Sequence, residues 1–232
     1  MVSAAALVVA GTAWVSLRAI RGTVNTTDVL GGEVVIGSPP ADDGATDILL
    51  VGSDTRTDLQ GNQLPASVLK QLRTEASDGV NTDTIMLLRL PHGGGAPAAV
   101  SIPRDTYVPI PGYREDKINA AFGATKFRAQ RELAAEGTLD RAAIERESDR
   151  RGRDALVMTV QDLTGARIDH YAEVSLYGFY LLTEAIGGVE VCLNRTTSDP
   201  DSGASFRKGV QTISGGAALS FVRQRENLPR GD

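Results

Sequence analysis

Apolar residues fall along this chain in short runs separated by polar, glycine-rich breaks. The first run, Val2 to Leu17, is almost wholly apolar or small and ends at Arg18 and Arg21. It falls short of the roughly 20 residues that span a bilayer. No basic segment precedes it and no small-residue cleavage site follows, so it does not read as a complete signal peptide. Residues 1–21 read as the outer part of a single transmembrane anchor whose cytoplasmic start is absent. Residues 22–45 carry Gly31-Gly32, Pro39-Pro40 and Asp42-Asp43-Gly44 and read as a linker, with one short strand at Glu33–Ile36. The folded domain is expected over 46–232.

Within that domain, strands are expected at Thr46–Val51, Thr84–Leu90, Ala98–Ile102, His170–Ser175 and Val189–Leu193. Helices are expected at Pro65–Ala76, Asp116–Glu136, Leu139–Leu163, Leu176–Ile186 and Gly215–Val222. Arg141, Glu145, Arg146, Asp149, Arg150 and Arg153 read as a solvated helix face. Leu176–Ile186 is unusually apolar, which suits either core packing or one wall of a greasy cleft. Thr196–Lys208 reads as a polar loop. Strands alternating with helices give an α/β fold with a mixed sheet covered on both faces.

Composition narrows the function. A chain of 232 residues is long enough for a substantial core, and 41% hydrophobic with 23% charged residues is ordinary for a globular protein. The net charge of -5 argues against nucleic acid as a partner, which needs a basic face. The basic residues are 20 Arg and 4 Lys. Genomic base composition accounts for such a bias, and so does selection of the guanidinium fork for phosphate. Cys192 is the only cysteine, which excludes an intrachain disulfide, and its apolar setting reads as a small core residue.

Three polar groups sit at strand ends. Asp54 follows the first strand, Asp83 precedes the second and Arg104 follows the third. If those strands run up, down, up, all three converge at one end of the sheet. Two carboxylates there would suit Mg2+, which binds through one or two carboxylates plus water and phosphate oxygens. Turn chemistry is the other explanation of Asp at such positions. Arg223 and Arg225 share a side only if their segment is extended, where they would aim two forks at one phosphate. Asp105 could act as a general base or merely orient Arg104. Lys117 is expected to open a helix, where the dipole favours anions. His92 and His170 read as loop and structural residues. No nucleophile elbow, P-loop or dinucleotide fingerprint occurs.

Taken together, Asp47-Ile-Leu-Leu-Val-Gly-Ser-Asp-Thr-Arg56, Asn81-Thr-Asp-Thr-Ile-Met86, Val100-Ser-Ile-Pro-Arg-Asp-Thr-Tyr107, Lys117-Ile-Asn-Ala-Ala-Phe122 and Ala218-Leu-Ser-Phe-Val-Arg-Gln-Arg225 resemble the LytR-CpsA-Psr family, actinobacterial branch. Leu163-Thr-Gly165, Asp169-His-Tyr171, Ile186-Gly-Gly-Val-Glu-Val191 and Gly209-Val-Gln211 extend the match in order. The resemblance implies an α/β/α sandwich with a polyprenyl-phosphate cleft, in a single-pass membrane protein facing outward. It implies Mg2+ or Mn2+ on Asp54 and Asp83. It implies that Arg104, Arg223 and Arg225 hold the pyrophosphate, with Arg56, Lys117, Asn119 and Gln224 as further substrate-binding residues. The implied reaction moves a glycan phosphate, arabinogalactan in the actinobacterial branch, from a polyprenyl-pyrophosphate carrier to peptidoglycan. Some members also cleave pyrophosphate. A membrane-anchored module that binds polyprenyl phosphate without chemistry is the competing class. The chain departs from the pattern at Asn81, where many members carry arginine, and it ends at Gly231-Asp232, inside a family motif.

Overall fold

The computed structural model describes residues 43–58, 62–74 and 80–228. The expected anchor, nearly all of the linker with its Glu33–Ile36 strand, and the closing Gly231-Asp232 lie outside the described residues. In chain order the elements are β1 (Ala45–Ser53), α1 (Ala66–Gln71), β2 (Thr82–Pro91), β3 (Ala98–Ser101), β4 (Tyr107–Pro109), β5 (Glu115–Lys117), α2 (Ala120–Glu136), α3 (Arg141–Thr164), β6 (His170–Ser175), α4 (Leu176–Ala185), β7 (Val189–Leu193), β8 (Thr197–Asp199), β9 (Ala204–Phe206), β10 (Gly209–Ile213) and α5 (Gly215–Arg223). No helix among the described residues is long and apolar enough to cross a membrane. The chain divides into two compact units.

The first unit runs up to Leu64 and from Ser77 to Ser175. Its sheet has the order β3-β2-β1-β6, with β1 antiparallel to β2 and parallel to β6. The fold is therefore α/β with a mixed sheet, as expected. Alternate residues of β1 (Ala45, Asp47, Leu49, Val51 and Ser53) are buried, the signature of a strand with one face in the core. Leu49, Val51, Ile85 and Leu87 pack there with Phe122 of α2 and Leu156 and Val160 of α3.

Asp140 caps α3, its side chain accepting from Ala143 N at 2.7 Å. Gly152 breaks the helix-propensity rule mid-helix for a steric reason. A Cβ there would sit 2.9 Å from the Phe122 carbonyl oxygen. The charged face expected on α3 is only partly solvated. Arg150 pairs with Glu147 and Asp154 at the surface, but Glu145, Asp149 and Arg153 turn inward. Buried Lys126 of α2 lies 2.5 Å from Glu145 Oε1 and 2.8 Å from Asp149 Oδ1. Burial draws the Lys126 amine down, but the two carboxylates more than offset it and raise it above its ordinary value.

One sequence expectation fails here. Asp116–Glu136 is not one helix: Glu115–Lys117 pairs with Tyr107–Pro109 as a hairpin, and the helix begins at Ala120. Cross-strand pairing across this short hairpin overrides local helix preference.

The second unit comprises Pro65–Ala76 and the chain from Leu176 onward. Within it β7 and β10 pair, and α4 and α5 pack together. The expected polar loop at 196–208 is a hairpin, β8 on β9, whose Ala204 and Phe206 join Ile213 and Ala218 in a small core. Cys192 is exposed rather than in the core, because it lies on the open face of the two-stranded β7–β10 ribbon opposite exposed Val210. The apolar side chains of α4 are mostly half-buried, with Leu182 at 42% exposure.

Two stability outcomes follow. Lys126→Met, which strands two partly buried carboxylates, is expected to cost about 3–5 kcal/mol in denaturant unfolding. Gly152→Ala gains helix propensity of about 1 kcal/mol, yet the contact with the Phe122 carbonyl should make it less stable than wild type. A raised melting temperature would contradict the close approach.

Candidate functional site

β1, β2 and β3 form an antiparallel meander, so the end of β1, the start of β2 and the end of β3 meet at one end of the sheet. The pairing there is irregular. Gly52 faces Thr84 and Ser53 faces Thr82, so Asp83 is an extra residue with no partner of its own. Such a bulge re-aims one side chain out of the ladder. Gly52 packs closely at this turn of the register, where a Cβ would lie 3.1 Å from Thr84 Cβ. Asp83, expected just before the strand, therefore sits within β2 at its irregular start.

Asp54 is tied twice to Asn81. Its N–H donates to the Asn81 carbonyl at 3.1 Å, and its Oδ1 accepts from Asn81 N at 2.6 Å. Asn81 thus contributes its backbone to the site. Arg104 follows β3 in a turn closed by Thr106, whose N and Oγ1 donate to the Pro103 carbonyl at 2.9 and 2.7 Å. From there Arg104 Nη1 donates to Asp83 Oδ1 at 2.8 Å. Its Nε lies 4.0 Å from Asp105 Oδ2, and Asp105 Oδ1 lies 2.7 Å from Lys117 Nζ.

The charges therefore alternate: Asp83, Arg104, Asp105, Lys117. All four are a third or more exposed, so these pairs are weak and exchangeable. The Lys117 hydrogen bond, then its charge and that of Arg104, holds the Asp105 carboxyl below its usual range. Such a carboxylate is a poor base and a good orienting acceptor. Lys117 stands on β5, not on a helix, and Asn119 donates its N–H to the Arg104 carbonyl at 3.2 Å. Arg56 lies further along the same segment, its carbonyl accepting from Leu64 N.

Among the described residues, neither Asp54 nor Asp83 uses its Oδ2 in a hydrogen bond. The Asp83 carboxylate beside the exchangeable Arg104, with the Asp54 carboxylate at the same end of the sheet, offers oxygens of the kind that would suit a hard dication.

Arg223, Gln224 and Arg225 belong to the second unit. Arg223 ends α5, with Nη1 donating to the Arg73 carbonyl at 3.2 Å. Gln224 is extended at φ -64 and ψ 128, so the three side chains alternate. Gln224 is buried, its amide donating to Thr197 Oγ1, while Arg225 is exposed. The segment is fixed by a residue that sequence reasoning missed. Buried Asp199 accepts from Arg225 N at 2.9 Å and Glu226 N at 3.3 Å through Oδ2. Through Oδ1 it accepts from Asp201 N and Ser202 N. These backbone bonds, that from Arg225 foremost, hold Asp199 at about 2. The Asp-x-x-Ser spacing was a turn signal, but nothing local linked it to Arg225, 26 positions away. Asp201 and Glu226 also approach Asp199 within 4.8 Å, but the oxygens of Asp199 are already engaged by four N–H groups.

Residues 18–232 match the LytR_cpsA_psr family. Cell wall biosynthesis protein LcpA of Corynebacterium glutamicum is 48% identical over 231 residues, which cover all of this chain and 45% of that protein. Polyisoprenyl-teichoic acid–peptidoglycan teichoic acid transferase TagU of Bacillus mycoides is 31% identical over 186 residues, 80% of this chain and 46% of TagU. The chain spans less than half the length of these curated relatives. Among solved structures, protein gbs0355 from Streptococcus agalactiae aligns with a TM-score of 0.54 at 22% identity, covering 81% of this chain and 54% of that one. B. subtilis TagV aligns with a TM-score of 0.53 at 24% identity, over 81% and 57%. These likenesses establish a shared fold.

The Asp199 clamp has a pH signature. Its carboxyl lies below the unfolded value of 3.8, so its stabilisation is complete above that pH and is lost as pH falls towards about 2. Asp199→Asn should be less stable at neutral pH and show a flatter acid-unfolding profile between those values. An unchanged profile would remove Asp199 as the clamp.

Proposed function

The chain belongs to the LytR_cpsA_psr family, and from that membership we propose that it transfers a glycan phosphate from a polyprenyl-pyrophosphate carrier to peptidoglycan. The observation that carries this reading is the Asp83–Arg104 pair, set beside Asp54 where three strand ends meet. A carboxylate pair and exchangeable cations at one point suit a pyrophosphate with its counter-ion. The TagU relative, a polyisoprenyl-teichoic acid–peptidoglycan teichoic acid transferase, supports the chemical class: a polyisoprenyl-linked polymer as donor and peptidoglycan as acceptor. The C. glutamicum relative supports a cell-wall role, and arabinogalactan is the glycan proposed for this actinobacterial type. The half-buried apolar helix α4 suits contact with an isoprenoid chain. The domain is proposed to act outside the cell membrane, held there by a single-pass anchor at 1–21.

In this scheme Asp54 and Asp83 hold Mg2+ or Mn2+, which supplies neutralising charge to the pyrophosphate. Arg104 counters the charge that develops as the bond breaks, and the family resemblance assigns phosphate-binding roles to Arg223 and Arg225 as well. Arg56, Lys117 and Asn119 support substrate binding in the first unit, Asn119 by fixing the Arg104 backbone, and the family resemblance extends that role to Gln224. An acceptor sugar hydroxyl attacks the glycan-side phosphorus. The P–O bond to the polyprenyl phosphate breaks, and the new P–O bond joins glycan to acceptor. Asp105 orients the hydroxyl, whose proton passes to solvent. Most of the rate comes from positioning and fixed charge.

The exposure of Asp83, Arg104 and Lys117 to solvent favours a second reading, in which water is the acceptor and the chain is a pyrophosphatase. A polyprenyl-pyrophosphate-linked glycan incubated with and without peptidoglycan fragments separates the two. Transfer product requires the fragments, whereas hydrolysis does not. A module that only binds would yield neither. Arg104→Ala should lower transfer about 100-fold or more, with the melting temperature retained. Near-normal turnover would take Arg104 out of the site.

A further inference from the structure

β6 lies parallel to β1, with Glu173 opposite Val51 and Ser175 opposite Ser53. Glu173 is 12% exposed in its side chain, and it collects donors from three elements. From β1, Ser53 Oγ donates to Oε1 at 2.6 Å. From α3, Arg153 Nε donates to Oε2 at 2.7 Å. From β6 itself, the Tyr171 hydroxyl donates to Oε2 at 3.0 Å. Burial, with the Glu173 carboxylate adding to it, raises the Tyr171 phenol well above its ordinary value, so Tyr171 remains a donor.

Ser53 and Thr55 flank Asp54, and both are buried. Their hydroxyls are 3.2 Å apart. The Ser53 proton is committed to Glu173, so Thr55 must donate to Ser53. The two neighbours of Asp54 are thus fastened through one hydroxyl pair to a carboxylate that is itself locked by Arg153 and Tyr171. Asp54 lies between them in the chain, and its backbone N–H and Oδ1 are both bonded to Asn81.

We propose that Glu173 is a positioning residue for Asp54, acting through Ser53 and Thr55 to hold that carboxylate in register with Asp83. The inference rests on the reading that Asp54 and Asp83 hold a divalent cation. Outer partners that orient metal-binding side chains typically govern affinity by 10–100-fold. A Glu173 that merely neutralised Arg153 would have no need of Ser53.

Mn2+ binding to the full chain, followed by electron paramagnetic resonance, tests this beside metal-free thermal unfolding. Ser53→Ala removes the link and leaves the Arg153–Glu173–Tyr171 contacts in place. Mn2+ affinity is expected to fall about tenfold in Ser53→Ala, and to fall in Thr55→Val and Glu173→Gln. Gly152→Ala, destabilised within the same unit, should bind as wild type does. Wild-type affinity in Ser53→Ala overturns the inference, and so does an equal loss in Gly152→Ala, which would mark a general loss of order. Asp54→Asn locates a different failure. If wild type binds no Mn2+, or Asp54→Asn binds it unchanged, the cation reading itself falls and this inference falls with it.

Discussion

The candidate site depends on one irregularity in hydrogen-bond register. Between Gly52 and Ser53 the β1–β2 ladder skips a residue, and Asp83 is the one left over. A regular ladder would give Asp83 a cross-strand neighbour and a fixed direction along the pleat. The skipped residue instead meets Arg104, which arrives from the end of β3. Asp105 and Lys117 follow from that meeting, since the turn that delivers Arg104 also carries Asp105 to the end of β5.

Two kinds of charge pairing coexist in the first unit, and their difference matters for function. Lys126 with Glu145 and Asp149, and Arg153 with Glu173, are largely buried pairs. Removing one partner there leaves a charge with no solvent to turn to, so these pairs are fixed. The Asp83–Arg104 and Asp105–Lys117 pairs face water. Their partners can be exchanged for those of a ligand at small cost. The candidate site thus sets pairs of the second kind on a frame held by the first.

Much of this was legible in the chain. β6 and β7 are marked by compact β-rich runs, and the short link from Pro91 to Ala98 marks β2 and β3 as antiparallel neighbours, whereas β1 and β2 are separated by a long segment that carries α1. What was hidden depends on distant partners. Lys117 reads as helical until Tyr107 pairs with it across the hairpin. Asp199 reads as turn chemistry until Arg225 donates to it. Ser53 and Glu173 are 120 positions apart, and no local pattern joins them. The inward stripe on α3 was visible in principle. Glu145, Asp149 and Arg153 recur every fourth residue and so share one helix face, but their charge led to a solvated reading. Cys192 illustrates the reverse case, an apolar neighbourhood that ends on an open ribbon face.

The seclusion of Lys126 also changes what amine-directed chemistry would see. The chain has 4 lysines, and Lys126 is only 4% exposed while Lys70, Lys117 and Lys208 lie at the surface. An acylating or cross-linking reagent therefore meets a sparse surface on which one of three accessible amines stands beside Asp105. In a protein whose cationic surface is mostly guanidinium, Lys117 becomes a natural reporter of whether that corner is vacant or covered.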